Sequence, residues 1–416
     1  MNRIIAKYLI ETSHPLEKAA ALMAGEQSSG TFVKVAGETK ELRERFLAKV
    51  TNIEEAGTVA RPTLPGSKPY PDKKNAIYKR AYVTLSWPLE NVGVNLPNLF
   101  TTVSGNLYEL NPFSGLKLIE LQVPDEFKTV YPGPGFGFTG TANLIAVKDR
   151  PIIGTIIKPS VGLSPEATAE RVKILIEAGL DFIKDDELMG DPPHSPFNLR
   201  VELVMKVIND FAEKTGKKPM YAFNLSGDID DMLERHDHVI RHGGTCVMVN
   251  LNTVGVSGVT KLRRHARIPI HGHRNFWGAI SRCDVLGMDF QPYQVIWRIA
   301  GVDHMHVNGL RNKFCERDES VIASIKALRT PMFGGYHAAP VISSGQWAGQ
   351  TVDIYKAINT TEVLYLCGGG IVGHPDGVEA GVKSVIQGWQ AALEGKSLEE
   401  VAVKHPELKN ALEFYG

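Results

Sequence analysis

From Ile152 to Cys367 the chain returns eight times to a short β-rich run: IIGTII (152–157), DFIKD (181–185), MYAFNL (220–225), TCVMVN (245–250), IPIHG (268–272), DHMHV (303–307), APVISS (339–344) and EVLYLC (362–367). The runs recur about every 25–40 residues with helix-like segments between them, which is the βα alternation of a parallel sheet. Eight units over about 270 residues fit a (β/α)8 TIM barrel, whose usual size is about 250 residues. A doubly wound sheet would use fewer strands and place a glycine-rich phosphate turn after the first. IIKPSVGLS (156–164) does not have that form.

Outward from these runs, YPGPGFGFTG (131–140) breaks the pattern as a linker does. Before it, an amphipathic helix near 15–24 alternates with β-like runs such as YVTLSWPL (82–89) and KLIELQVP (117–124). The expected organisation is therefore α/β, with a smaller α+β domain over 1–139 and the barrel over 140–416.

Composition narrows the function classes. In 416 residues, Lys+Arg 46 balance Asp+Glu 46, so no global positive potential attracts a polyanion, and a dedicated nucleic-acid binder is excluded. No apolar run approaches the roughly 18–20 residues needed to cross a bilayer. Lys7 and Glu11 interrupt any signal-like apolar stretch, so a cytoplasmic protein is expected, with neither membrane nor nucleic acid as partner. Cys246, Cys283, Cys315 and Cys367 have no CxxC spacing and are expected to be reduced structural thiols.

In a barrel of this kind the active site lies at the carboxyl ends of the strands. Polar groups do follow the apolar runs there: Lys158 after the first, Lys184, Asp186 and Glu187 at the second, Asn224 at the third, His273 and Arg274 at the fifth, His304 and His306 at the sixth, Ser343 and Ser344 at the seventh, Gly368 to Gly370 at the eighth. Their convergence on one mouth predicts an enzyme. Asp186 and Glu187 offer hard oxygens suited to Mg²⁺, although a solvated acidic loop with Lys184 paired to a carboxylate is the alternative. His273 and His306 are core histidines satisfied by backbone groups, zinc ligands or other site groups. Arg274 favours a phosphate or carboxylate, and the GGG turn offers backbone N–H groups to a second anion, or is simply a tight turn.

In their order and spacing, GTIIKPSVGLS, GLDFIKDDE, HGHR, DHMHVNG, ISSG and CGGGIVGHP resemble the RuBisCO large-subunit superfamily, as do GEQSSGTF (25–32) and SGNLYEL (104–110). The resemblance implies a ferredoxin-like N-terminal domain ahead of the barrel. It implies a Mg²⁺ site in which Lys184 carries a CO₂-derived carbamate and binds the metal with Asp186 and Glu187. Lys158, Lys184, His273 and His306 match the catalytic positions. Arg274, Ser343, Gly345, Gly368 and Gly369 match the phosphate-binding groups, and Lys313 the lysine of the loop after the sixth strand. Glu26, Thr31 and Asn106 match positions supplied by a partner subunit, so the resemblance implies a homodimer with shared active sites.

The departures bear on the reaction. A carboxylating member has a second lysine in KPK, whereas this chain has Lys158, Pro159, Ser160, and Phe32 stands where the family has Trp. HVNGLRNKF (306–314) replaces the family's glycine-lysine pair. The chain therefore resembles RuBisCO-like proteins, with no ribulose bisphosphate carboxylation expected. The enolase of methionine salvage uses a lysine base at the position matched by Asn106. Decarboxylation needs no such base, because departing CO₂ leaves its electron pair behind. The expected substrate is a phosphorylated sugar acid, with decarboxylation of 3-oxo-isoapionate 4-phosphate or a similar β-keto acid preferred. The alternatives are enolisation or isomerisation of a methylthio-ketose phosphate, and a non-catalytic sugar-phosphate sensor.

Overall fold

A computed structural model describes residues 2–30, 35–70 and 76–416. The described chain divides into two compact units, Met1–Pro132 with Phe276–Ile299, and Gly133–Asn275 with Ala300–Gly416.

The first unit is built on a five-stranded sheet. Strands β1 (Arg3–Thr12), β2 (Lys49–Val59), β3 (Tyr78–Pro88) and β4 (Phe113–Gln122) are antiparallel in the order β4-β1-β3-β2, the arrangement of a ferredoxin-like unit. The central strand, β1, was not among the expected elements. Its pleat alternates buried Ile4, Ala6, Tyr8 and Ile10 with half-buried neighbours, a period of two that marks a strand with one face on the core. The expected helix is present as Leu16–Glu26.

The second unit is the barrel. Strands β5 (Ile152–Ile156), β6 (Phe182–Lys184), β7 (Met220–Asn224), β8 (Cys246–Asn250) and β9 (Ile270–His273) are followed by β10 (Leu286–Met288), which belongs to the first unit. The ring is completed by β11 (His304–His306), β12 (Ala339–Ile342) and β13 (Leu364–Leu366), which pairs back onto β5. All eight apolar runs read from the sequence therefore form the closed parallel barrel. Phe182, Met220, Ala222, Met248, Val341, Leu364 and Leu366 fill its core. A Cβ on Gly154 would lie 2.4 Å from the Phe182 carbonyl oxygen, so β5 needs glycine there to approach β6.

Two features differ from the expected division at 139/140. Gly137–Leu144, whose start lies in the linker-like run, is a helix of the barrel unit. Its start is held by Asp303, which precedes β11: the fully buried carboxylate accepts from Phe136 N (2.6 Å), Gly137 N (3.2 Å) and Ile270 N (2.8 Å), and pairs with Arg263 Nη1 at 3.0 Å. Phe276–Ile299 leaves the barrel unit because β10 pairs in parallel with β4, and Trp277 and Tyr293 stack nearby at 4.6 Å.

No helix among the described residues is long and apolar enough to cross a membrane. Cys246 and Cys367 are buried, Cys315 is exposed, and none of the four forms a disulfide. Replacing Asp303 by Ala would leave the buried Arg263 guanidinium without its carboxylate partner. The expected loss is about 3–5 kcal/mol, checked by the denaturant midpoint of Asp303→Ala against the parent protein.

Candidate active site

Lys184 ends β6 and is 1% exposed. Strand pairing on both sides holds its backbone, so the amine cannot reach bulk water. Its Nζ donates to the Asp185 carbonyl at 2.8 Å and lies 3.7 Å from Glu187 Oε2. Burial pushes its pKa down, while Glu187, Asp186 and Asp185 pull the other way. A buried amine with depressed basicity is the form that reacts with CO₂, because only the neutral amine is a nucleophile.

The next three residues divide the work. Asp185 points away from the mouth, where Tyr221 Oη (2.5 Å), Asn224 N (2.9 Å) and Arg200 Nη2 (3.4 Å) surround its carboxylate. Asp186 is 2% exposed, and its Oδ2 receives Lys158 Nζ at 2.8 Å. Glu187 is partly exposed, with Oε2 3.7 Å from His273 Nε2. Asn224 and Asn250 donate to the Glu187 backbone oxygen at 3.1 and 2.8 Å and so hold the turn in place. Asp186, Glu187 and a carbamate on Lys184 would be an all-oxygen donor set, which fits a hard divalent ion such as Mg²⁺.

Lys158 stands across this cluster with Nζ also 2.6 Å from Ser160 Oγ, and its side chain is 38% exposed. A Cβ on Gly368 would come within 4.0 Å of Lys158 Cε, so the loop after β13 reaches the same mouth. Gly368 and Gly369 there open the short helix Gly369–Val372.

Four histidines line the barrel interior. Burial lowers the basicity of His273 and His304 to about 3, with Lys184 adding to the effect on His273, and holds His271 and His306 well below the usual histidine range. Burial thus favours the neutral form of all four. His306 is occupied on both nitrogens, by Ser343 Oγ at 3.0 Å and by His271 Nε2 at 2.8 Å. His273 differs, since its buried Nδ1 has no hydrogen-bond partner among the described residues.

Arg274, the expected anion ligand, is 6% exposed and pairs with Glu316 Oε2 at 2.7 Å. Glu316 also accepts from Asn308 Nδ2 (2.6 Å) and Ser320 Oγ (2.9 Å). Nothing in the local sequence marks Glu316, whose partners come from just after β9, from the loop after β11 and from the helix Asp318–Arg329. Lys313 donates its backbone N–H to the Ser344 oxygen at 3.2 Å, and its side-chain stem passes 3.5 Å from the Cβ position of Gly345, which has φ +84°. Ser343, Ser344, Gly345, Lys313 and Arg274 thus form one edge of the mouth, while Lys158, Lys184, Asp186, Glu187 and His273 form the other. Rings of His273 and His306, 4.7 Å apart, join the two edges.

Two expected residues belong to the first unit and a third lies outside the described residues. Glu26 ends the helix Leu16–Glu26 and Asn106 is exposed in the turn Gly105–Glu109, both in the first unit. Thr31, like Phe32, lies outside the described residues.

Comparison with known proteins accounts for the whole chain. The catalytic domain of the ribulose bisphosphate carboxylase large chain matches residues 137–415, and its N-terminal domain matches residues 1–127. A 3-oxo-isoapionate-4-phosphate transcarboxylase/hydrolase of Xanthobacter autotrophicus is 50% identical, over 100% of this chain and 99% of the relative. A 3-oxo-isoapionate-4-phosphate decarboxylase of Rhizobium etli is 45% identical, over 97% of each chain. The crystal structure of a rubisco-like protein from Burkholderia fungorum superposes with a TM-score of 0.94 at 44% identity, covering 100% of both chains. The chain belongs to the ribulose bisphosphate carboxylase large-chain family.

Proposed function

We propose that this protein detaches the carboxyl group of a phosphorylated β-keto sugar acid, 3-oxo-isoapionate 4-phosphate or a close analogue, and protonates the resulting enediolate. The observation that carries the reading is Lys158, whose ammonium stands 2.8 Å from Asp186 across from buried Lys184, with Ser160 where a carboxylating relative has a second lysine. The relatives named for this substrate support it. Asp186, Glu187 and carbamylated Lys184 would hold Mg²⁺, which would supply Lewis-acid neutralisation of charge on two adjacent substrate oxygens.

The chain's own residues do the rest. Arg274 would bind the substrate phosphate in place of Glu316, because a dianion outcompetes a carboxylate for a guanidinium fork. Backbone N–H groups at Gly368 and Gly369 and the Gly345 turn would complete anion binding. When the carbon–carboxyl bond breaks, its electron pair stays on the substrate as an enolate and CO₂ departs. Lys158 would then give one proton to that carbon and regain it from water, to which its partly exposed side chain has access. Neutral His273, with its free Nδ1, could accept from a substrate hydroxyl. Glu26, Thr31 and Asn106 would reach the site from a partner subunit, making the active unit a homodimer.

A second reading keeps the carboxyl group: the enediolate re-attacks the CO₂ carbon from its other end, and water cleaves the new β-keto acid. The 50% identical transcarboxylase/hydrolase favours it, as does Lys313 beside Ser344 and Gly345, where a cation could hold the migrating carboxylate. Both readings share the first bond cleavage.

Acid labelled with ¹³C in its carboxyl group, incubated with protein and Mg²⁺, separates them. Label in bicarbonate marks decarboxylation, label in a carboxylic acid product marks transfer, and unconsumed acid sinks both readings. Lys184→Ala is expected to abolish the Mg²⁺-dependent turnover, and undiminished turnover would remove Lys184 from the metal site. Lys158→Met is expected to lower kcat by about 10²–10⁴-fold, the usual worth of a positioned proton donor, as read by steady-state kinetics.

A further inference from the structure

A continuous line of hydrogen bonds runs through the barrel from its catalytic mouth to its opposite end. Ser343 Oγ, just after β12, meets His306 Nδ1 at 3.0 Å. His306 Nε2 meets His271 Nε2 at 2.8 Å, and His271 Nδ1 meets His304 Nδ1 at 3.3 Å. His304 Nε2 meets Thr141 Oγ1 at 2.6 Å, and Thr141 Oγ1 reaches the Gly137 carbonyl at 2.6 Å. His304, His271 and Thr141 are fully buried and His306 is 4% exposed, so solvent cannot substitute for any partner.

The last contact sets the direction of all the others. A carbonyl only accepts, so the Thr141 hydroxyl donates to Gly137 and must accept from His304. A neutral imidazole carries one N–H, so His304 holds it on Nε2 and accepts on Nδ1. His271 then donates from Nδ1 and accepts on Nε2, His306 donates from Nε2 and accepts on Nδ1, and Ser343 donates its hydroxyl to His306. Reversing the line would cost the Thr141–Gly137 bond. Next to it, Ser344 Oγ donates to Asn308 Oδ1 at 2.7 Å and is not needed as an acceptor.

We infer that His304 and His271, anchored by Thr141, are positioning residues that fix the tautomer of His306 and turn the Ser343 hydroxyl into the barrel. Ser343 therefore presents only lone pairs to the mouth. It is a subsite for a substrate hydroxyl, which can donate, and it does not bind a phosphate oxygen, which needs a donor. Phosphate recognition then falls to Arg274 and the glycine turns. The substrate half of this inference rests on the proposed carboxyl-detaching reaction, but the tautomers do not.

Two-bond ¹H–¹⁵N spectra of the labelled full-length protein, with signals assigned by single histidine substitutions, test it without substrate. His304 and His306 are expected to carry the proton on Nε2 and His271 on Nδ1. The opposite tautomer or an imidazolium at any of the three overturns the relay. Inorganic phosphate is expected to leave His306 protonated on Nε2, and a switch to Nδ1 on adding phosphate would overturn the hydroxyl subsite. Thr141→Val removes the acceptor for His304, so all three tautomers should reverse, while Thr141→Ser should keep them. A folded Thr141→Val protein with unchanged tautomers overturns the anchor. If the labelled acid is turned over, Thr141→Val should raise KM about tenfold with kcat kept, and Thr141→Ser should restore it. An unchanged KM with reversed tautomers would overturn the subsite. Failure of the acid to react would sink the proposed reaction and leave the spectral test of the relay intact.

Discussion

Burying an amine is the constraint around which the barrel's mouth is arranged. Taking Lys184 out of water opposes its charge and lowers its basicity, and the nearby carboxylates partly offset that effect. The neighbouring acids divide their tasks accordingly. Asp185 is consumed by Tyr221, Asn224 and Arg200 inside the barrel, while Asp186 and Glu187 remain turned toward the mouth. Lys158 then balances Asp186, and His273 stays neutral partly because Lys184 is near. Removing the lysine from the strand end would take away the reason for each of these placements.

A second organising feature is the set of histidines in what is usually an aliphatic barrel interior. His304 and His306 lie two apart on β11 and so face the same side, and β9 sets His271 directly opposite His304. Buried polar rings are costly unless their nitrogens find partners, and those of His271, His304 and His306 do. They find one another, together with Thr141 at one end and Ser343 at the other. The Ser343 hydroxyl at the mouth is thereby tied to a helix whose start Asp303 holds at the far side of the barrel.

The relatives share a substrate name but differ in what becomes of the carboxyl group, and the geometry explains how closely related sites could do so. In the proposed reaction, Lys184, Asp186 and Glu187 would govern whether an enediolate forms. The loop after β11, with Lys313 and Glu316, faces the other edge, where a released CO₂ would be kept or lost.

The sequence by itself determined the eight barrel strands, because a strand buried on both faces must be a short apolar run and a strand end that lines a mouth must turn polar. It also exposed Lys158, Lys184, Asp186, Glu187, His273, Arg274 and Ser343, each next to such a run. It did not reveal β1, nor that β10 leaves the barrel's chain segment to pair with β4. Only the tertiary structure decided that Tyr221 and Arg200 hold Asp185 in the core, that Glu316 holds Arg274, and that His306 is fully occupied rather than a free base. Those facts depend on partners contributed by other strands and loops, and hydrogen bonds between residues distant in the chain leave no period or motif in the sequence that encodes them.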